Sequence, residues 1–279
     1  MLFLAVETSS RCGSVALFSG GTCLRETIFP EGLVHGREIT VHFKAMLDAQ
    51  GLRPASIQAV SLSMGPGSYT GLRVGVAAAK SLAFALRIPA VTESSLRVIA
   101  GNAASAVPMA SGSGAPTRVL TVLDGRQQFL YAALFEVRAS SAPDLEASVT
   151  RTVPDGVFNL ESLLANSLET EGGHLAGPDR GSEKILVVGD GADLFFQKLS
   201  DRESPPTEPG QRVEGVSFAL RRFVRGPREW DAPRARVLGL LTAGRVPAAR
   251  FDLEEIHRLE PSYMRRTEAE LKLSAGGKP

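Results

Sequence analysis

The chain has 279 residues, more than one average domain and fewer than two large ones. Its 43% hydrophobic and 22% charged residues exclude a disordered or fibrous protein. Lysine plus arginine exceeds aspartate plus glutamate by one (31 against 30), which excludes a protein that coats nucleic acid by bulk charge. Two cysteines and four histidines exclude a disulfide framework and a cysteine-rich zinc module.

Three strand-like runs come first, Leu2–Val6, Ser14–Phe18 and Cys23–Phe29, with turns short enough for an antiparallel meander. A helix is predicted over His35–Gln50, where Ile39, Phe43, Met46 and Leu47 share one face and Gly51 stands at the stop position. Ala59–Met64 reads as a strand, Thr70–Leu86 as a long helix and Pro89–Val91 as a short strand. Ser94 or Ser95 caps a helix to about Ala104. The order β-β-β-α-β-α-β-α predicts an α/β fold with a mixed sheet and helices on its faces. Residues 103–117, 169–183 and 200–211 read as loops, and a last helix is expected over Arg234–Gly244. The N-terminus meets Glu7 at once, and Lys80 interrupts the longest apolar stretch. The expectation is a cytoplasmic chain with no signal peptide, no membrane span and reduced cysteines.

Residues 2–18 (LFLAVETSSRCGSVALF) and 119–135 (VLTVLDGRQQFLYAALF) form a weak internal repeat. Each is an apolar strand, a terminal acid, a polar turn and a second apolar strand. Without a gap, Glu7 matches Asp124 and Phe18 matches Phe135. The expectation is two related halves facing each other across a ligand cleft.

Met64-Gly-Pro-Gly-Ser-Tyr-Thr-Gly-Leu-Arg73 is the strongest local motif. Gly65 and Gly67 permit a tight loop, and Ser68 or Thr70 can cap the following helix. The motif fits either a structural turn or a phosphate contact, since a helix start attracts anions. It lacks the lysine of a Walker A loop. Gly71, Gly75 and Ala79 then make a small-residue stripe, which either packs on the chain's own sheet or meets a partner helix. The helix is so poor in charge that a partner is expected. The turn Gly189-Asp190-Gly191 is either a plain β-α turn or a close approach to adenosine or ribose. His35 and His42 are seven apart, too far along one helix for paired metal ligands, so no metal site is expected. Arg212, Arg221, Arg222, Arg225, Arg228, Arg234 and Arg236 read as a solvated basic face or as a contact with RNA phosphates or an acidic partner.

The run AVSLSMGPGSYTGLRVGVAAAKSLAFALRIPAVTESSL (59–96) resembles the signature of the bacterial tRNA threonylcarbamoyladenosine biosynthesis family TsaB, or YeaZ. LAVETSS (4–10) is similar to that family's first strand and loop, and HGREITVHFKAMLDAQGL (35–52) to its first helix. VLTVLDGRQQFLYAALF (119–135) is similar to its second-domain hairpin, and EPSYMRR (260–266) to its C-terminal element. The resemblance implies two RNase-H-like halves of the actin-like ATPase superfamily, with mixed sheets flanked by helices. The corresponding division is residues 1–102, residues 103–230 and a C-terminal part, 231–279, that packs back on the first half.

The resemblance also implies a non-catalytic subunit. It pairs with the transferase paralogue TsaD and the ATPase TsaE to make threonylcarbamoyladenosine at position 37 of tRNA, and forms a homodimer when alone. The interface residues implied are His35, Ile39, Phe43, Leu72, Gly75, Val76, Ala79 and Ala83. The nucleotide or phosphate contacts implied are Glu7, Ser9, Gly65, Gly67, Ser68, Thr70, Asp124, Gly189 and Gly191. ATP and Mg²⁺ are expected only at the level of the complex. Glu7 replaces the aspartate that actin-like ATPases use at that turn, which argues against turnover by this chain. The rival expectation is an ATP-dependent kinase or hydrolase acting alone through Glu7, Ser9, Asp124 and the 189–191 turn.

Overall fold

The computed structural model describes residues 1–29, 35–106, 116–138, 145–169, 184–203 and 222–264. Of the predicted loops 103–117, 169–183 and 200–211, residues 107–115, 170–183 and 204–211 lie outside them, as do Arg212 and Arg221; the described ends correct the loop expectation, since 103–106, 169 and 200–203 complete helices and 117 opens a strand. The first sheet contains β1 (Leu2–Glu7), β2 (Ser14–Ser19), β3 (Thr22–Ile28), β4 (Ala59–Ser63) and β5 (Ala90–Glu93), in the order β3-β2-β1-β4-β5. The second contains β6 (Thr117–Asp124), β7 (Leu130–Val137), β8 (Val149–Phe158), β9 (Ile185–Val188) and β10 (Phe223–Arg225), in the order β8-β7-β6-β9-β10. In each, the first three strands pair antiparallel and the last two add in parallel. The repeat in the sequence is therefore a repeat of topology.

Register corrects its gapless alignment by one residue. Phe18 pairs with Phe3, Phe135 pairs with Val119, and all four sit in one apolar cluster between the sheets. Phe18 and Phe135 are equivalent, but Phe3 corresponds to Val119. Glu7 then corresponds to Leu123, and Thr8 to Asp124. Alternating strand residues face opposite sides, so this single step puts Glu7 and Asp124 on opposite faces.

The outer face of the first sheet carries α1 (His35–Ala49) and α2 (Tyr69–Leu86). Leu4 and Val6 of β1 meet Ile39, Met46 and Leu47 of α1 and Val76, Ala79 and Ala83 of α2. Helix α3 (Ser95–Ala106) leaves the first half to pack on β6 and β7. The short α4 (Leu145–Ser148) leads into β8, and α5 (Leu160–Glu169) and α6 (Ala192–Glu203) cover the outer face of the second sheet. After β10, α7 (Ala235–Thr242) returns to pack on β1 and β2, and α8 (Leu253–Arg258) packs on α2. α3 and α7 thus form a shared layer between the sheets, each helix packed on the other half's strands.

α2 begins where Ser68 accepts from the Gly71 N–H at 3.2 Å. The small-residue stripe has a partner inside the chain. A Cβ on Gly71 would come within 2.0 Å of the Thr8 carbonyl oxygen, and one on Gly75 within 2.2 Å of Thr8 Oγ1. The Thr8 hydroxyl also donates to the Gly71 carbonyl at 2.8 Å. The expectation that Ile39, Leu72, Gly75, Val76, Ala79 and Ala83 face a partner is therefore corrected: all six are buried against the chain's own sheet and loop. Phe43 is half-buried in the same cluster, and the side chain of His35 lies outside the described residues.

Candidate functional site

A cleft of about 880 Å³ opens between the halves. Residues 9–12, after β1, and 66–70, entering α2, form one wall. Asp124, Arg126 and Gln127 of the β6–β7 turn, with Tyr131, Asp190 and Asp231, form the other. Residues 262–264 close the mouth on the first-half side.

The first wall is braced from beneath by Glu7. Its carboxylate accepts from the Ser9 N–H at 2.7 Å, from Ser9 Oγ at 2.6 Å and from Ser63 Oγ. The Ser9 carbonyl in turn accepts from the Ser68 N–H at 2.7 Å, and a Cβ on Gly67 would meet that carbonyl at 2.1 Å. The β1 loop and the start of α2 are thereby locked together. Glu7 is fully buried and does not line the cleft, which corrects its assignment as a nucleotide contact. Burial pushes its carboxyl above the ordinary value of 4.5, against the serine hydrogen bonds that pull it down.

Below pH 4.5 the Glu7 carboxyl is protonated in both states. Above it the unfolded chain ionises first, so this group's contribution to stability falls as pH rises until native Glu7 also ionises. Glu7→Gln removes that fall. Urea unfolding across pH is expected to show the variant gaining on the parent from acid to neutral pH. A constant difference would contradict the assignment.

The second wall is carboxylate-rich. The Asp124 N–H donates to Asp190 Oδ1 at 3.2 Å, and the Gly189 N–H to Asp231 Oδ1 at 2.8 Å. The Asp190 carboxyl turns toward β6. Withdrawal from water pushes it above its ordinary value, and the charges of Asp124 and Asp231 add to that push. Gly189 and Gly191 are close-approach glycines toward the chain itself. Added Cβ atoms would meet the Val122 oxygen at 2.1 Å and the Leu123 carbonyl carbon at 2.6 Å. They do not line the cleft, which corrects their assignment as nucleotide contacts. Gly65 lies between Leu72 and the Ser262 carbonyl and is likewise outside the lining. Ser9, Gly67, Ser68, Thr70 and Asp124 do line it.

Among the described residues the arginine run is mostly paired or buried. Arg225 and Arg228 pair with Asp193 at 3.1 and 2.9 Å, Arg225 also pairs with Asp231, Arg234 pairs with Glu26 at 2.7 Å, and Arg222 is buried. Among the described residues no three His, Cys, Asp or Glu side chains lie where they could hold a metal.

The contacts of the C-terminal segment, expected to pack back on the first half, were not legible in the sequence. Lys80 of α2 donates to the carbonyls of His257 and Leu259 at 2.8 and 3.2 Å, and the Ser262 N–H donates to the Met64 carbonyl at 2.7 Å. Tyr263 stacks on Tyr69 at the cleft mouth. The EPSYM string gives its position in the chain, but the hydrogen bonds that tie it are accepted or donated by its backbone groups, which any sequence carries.

Two halves of like topology, with exchanged inner helices and a cleft between them, define an RNase-H-like pair of the actin-like type. The family model of the tRNA N6-adenosine threonylcarbamoyltransferase TsaD matches residues 32–272. The TsaB protein of Escherichia coli K12 is 31% identical over 203 residues, 70% of this chain and 81% of its own length. The TsaB protein of Bacillus subtilis 168 is 26% identical over 272 residues, 98% and 97% of the two chains. The solved structure of YeaZ from Pseudomonas aeruginosa matches with a TM-score of 0.63 at 20% identity, over 94% of this chain and 99% of that one. The chain belongs to the TsaB family of tRNA threonylcarbamoyladenosine biosynthesis proteins, within the wider family that the TsaD model describes. Its role lies in the synthesis of threonylcarbamoyladenosine on tRNA. No helix among the described residues is long and apolar enough to cross a membrane.

Proposed function

We propose that this chain is the non-catalytic subunit of the threonylcarbamoyladenosine complex, pairing with TsaD and joined by TsaE. The observation that carries the reading is the outer surface of α1 and α2. Ala77, Ser81, Phe84 and Ala85 form an exposed, uncharged stripe along α2, with Phe84 60% exposed, and Val41 of α1 is 51% exposed. A run of small uncharged residues with a protruding phenylalanine fits a protein partner better than solvent. The stripe lies opposite the buried glycines, so the partner surface is carried by residues other than those first expected. The same face serves a homodimer when TsaD is absent.

The sealing of Glu7 supports a chain that keeps the cleft and does not turn over ATP. ATP and Mg²⁺ then act at the level of the complex, tRNA is engaged through it, and the location is cytoplasmic. Reconstitution tests this. TsaD and TsaE with the chain are expected to form threonylcarbamoyladenosine on tRNA, and without it to form little. Equal product without the chain would contradict the reading. So would Mg²⁺-ATP hydrolysis by the isolated chain that disappears in Glu7→Ala, the result the kinase or hydrolase alternative requires.

A further inference from the structure

Tyr69 and Tyr263 stand together on the first-half side of the cleft mouth. Their ring centroids are 4.8 Å apart at 28°, and the Arg73 guanidinium carbon lies 5.4 Å from the centre of the Tyr69 ring. Tyr69 is the first residue of α2, an eighteen-residue helix, so the positive end of that helix lies beside the pair. An aromatic pair that served only to pin the C-terminal segment would gain most from burial. That segment is already tied by Lys80 and by the Ser262 N–H, yet Tyr69 and Tyr263 remain 46% and 41% exposed.

We propose that Tyr69, Tyr263 and Arg73 form a stacking platform for an unpaired RNA base. Resting on the function proposed above, that RNA is the tRNA substrate of the complex. Tyrosine rings and a guanidinium plane hold a splayed-out base without regard to its identity. The start of α2, and Arg11 on the same wall, supply positive potential for the neighbouring phosphate. Asp124 and Arg126 line the opposite wall, where the Asp124 carboxylate can accept from an exocyclic amino group of the base. A protein surface is the rival occupant of exposed tyrosines, and the test separates the two.

The test measures binding of a tRNA-type hairpin with an unpaired loop to the assembled complex, at fixed salt. Tyr263→Ala is expected to weaken binding about tenfold, the loss of one base–aromatic stack. Tyr263→Phe keeps the ring and is expected to bind like the parent. Arg73→Gln, which leaves the C-terminal segment tied, is expected to weaken binding as well. All three are expected to unfold at the parent temperature and to pair normally with TsaD. Equal RNA affinity for the parent and Tyr263→Ala overturns the platform and leaves the subunit reading standing. Lost TsaD pairing in Tyr263→Ala assigns the tyrosines to a protein interface and overturns the platform too. Failure of the parent chain to pair with TsaD overturns both.

Discussion

Gly71→Ala is expected to destabilise the chain by about 3 kcal/mol, lowering its melting temperature by roughly 6–12 °C. The sign is the informative part. In an exposed helix the same change stabilises by about 1 kcal/mol, because alanine is the better helix former. Here the new methyl would stand 2.0 Å from the Thr8 carbonyl oxygen. That oxygen cannot retreat, because the loop beyond it is held by the Glu7–Ser9 and Ser9–Ser68 hydrogen bonds. α2 must instead lift from the sheet, giving up part of the packing of Val76, Ala79 and Ala83. Gly75→Ala meets a side-chain atom, Thr8 Oγ1, so Thr8→Ala should relieve part of its cost. Circular dichroism melts of the three single variants and of the Gly75→Ala, Thr8→Ala double variant check this. A Gly71→Ala protein as stable as the parent would show that the helix does not sit as close to Thr8 as described.

Phe84→Lys is expected to leave the monomer within about 0.5 kcal/mol of the parent while weakening pairing with TsaD at least ~30-fold, the loss of a hot-spot residue. Phe84 is 60% exposed, so little core packing is lost. It lies in the last turn of α2, where a cation is favourable to the helix dipole. A lysine there separates the two effects better than an acid. Sedimentation of mixtures reports the pairing, and a melt of the isolated variant reports the fold. Normal pairing by Phe84→Lys would place the partner on another face.

Helix α2 shows how far sequence reasoning reached. Its start at the Gly-Pro-Gly-Ser loop and its end near Leu86 were legible, because a capping serine and a 3.6-residue apolar period are local signals. What its glycines face was not. A small side chain announces a close approach but not which backbone approaches, and here it is Thr8 of the same chain. The repeat was legible as topology for a similar reason, since strand, turn and strand have local signatures. Its register was not, because one residue of slack in the turn changes parity, which took Glu7 from the cleft to the interior. β8 contains Pro154, Asp155 and Gly156 and has no regular alternation, so it carried no strand signal; pairing with β7 makes it a strand. The arginine run was visible, but its dispersal into separate ion pairs depended on acids distant in sequence, such as Glu26. Of the residues expected to contact nucleotide or phosphate, Ser9, Gly67, Ser68, Thr70 and Asp124 line the cleft, while Asp231 and the Tyr69–Tyr263 pair emerged only when the chain folded back on itself.

Sedimentation of the purified chain mixed with TsaD from the same organism tests pairing through the outer face of α1 and α2. The expected result is a heterodimer that replaces any homodimer of the chain alone, and that is lost with Phe84→Lys. A chain that sediments unchanged in the presence of TsaD would contradict it.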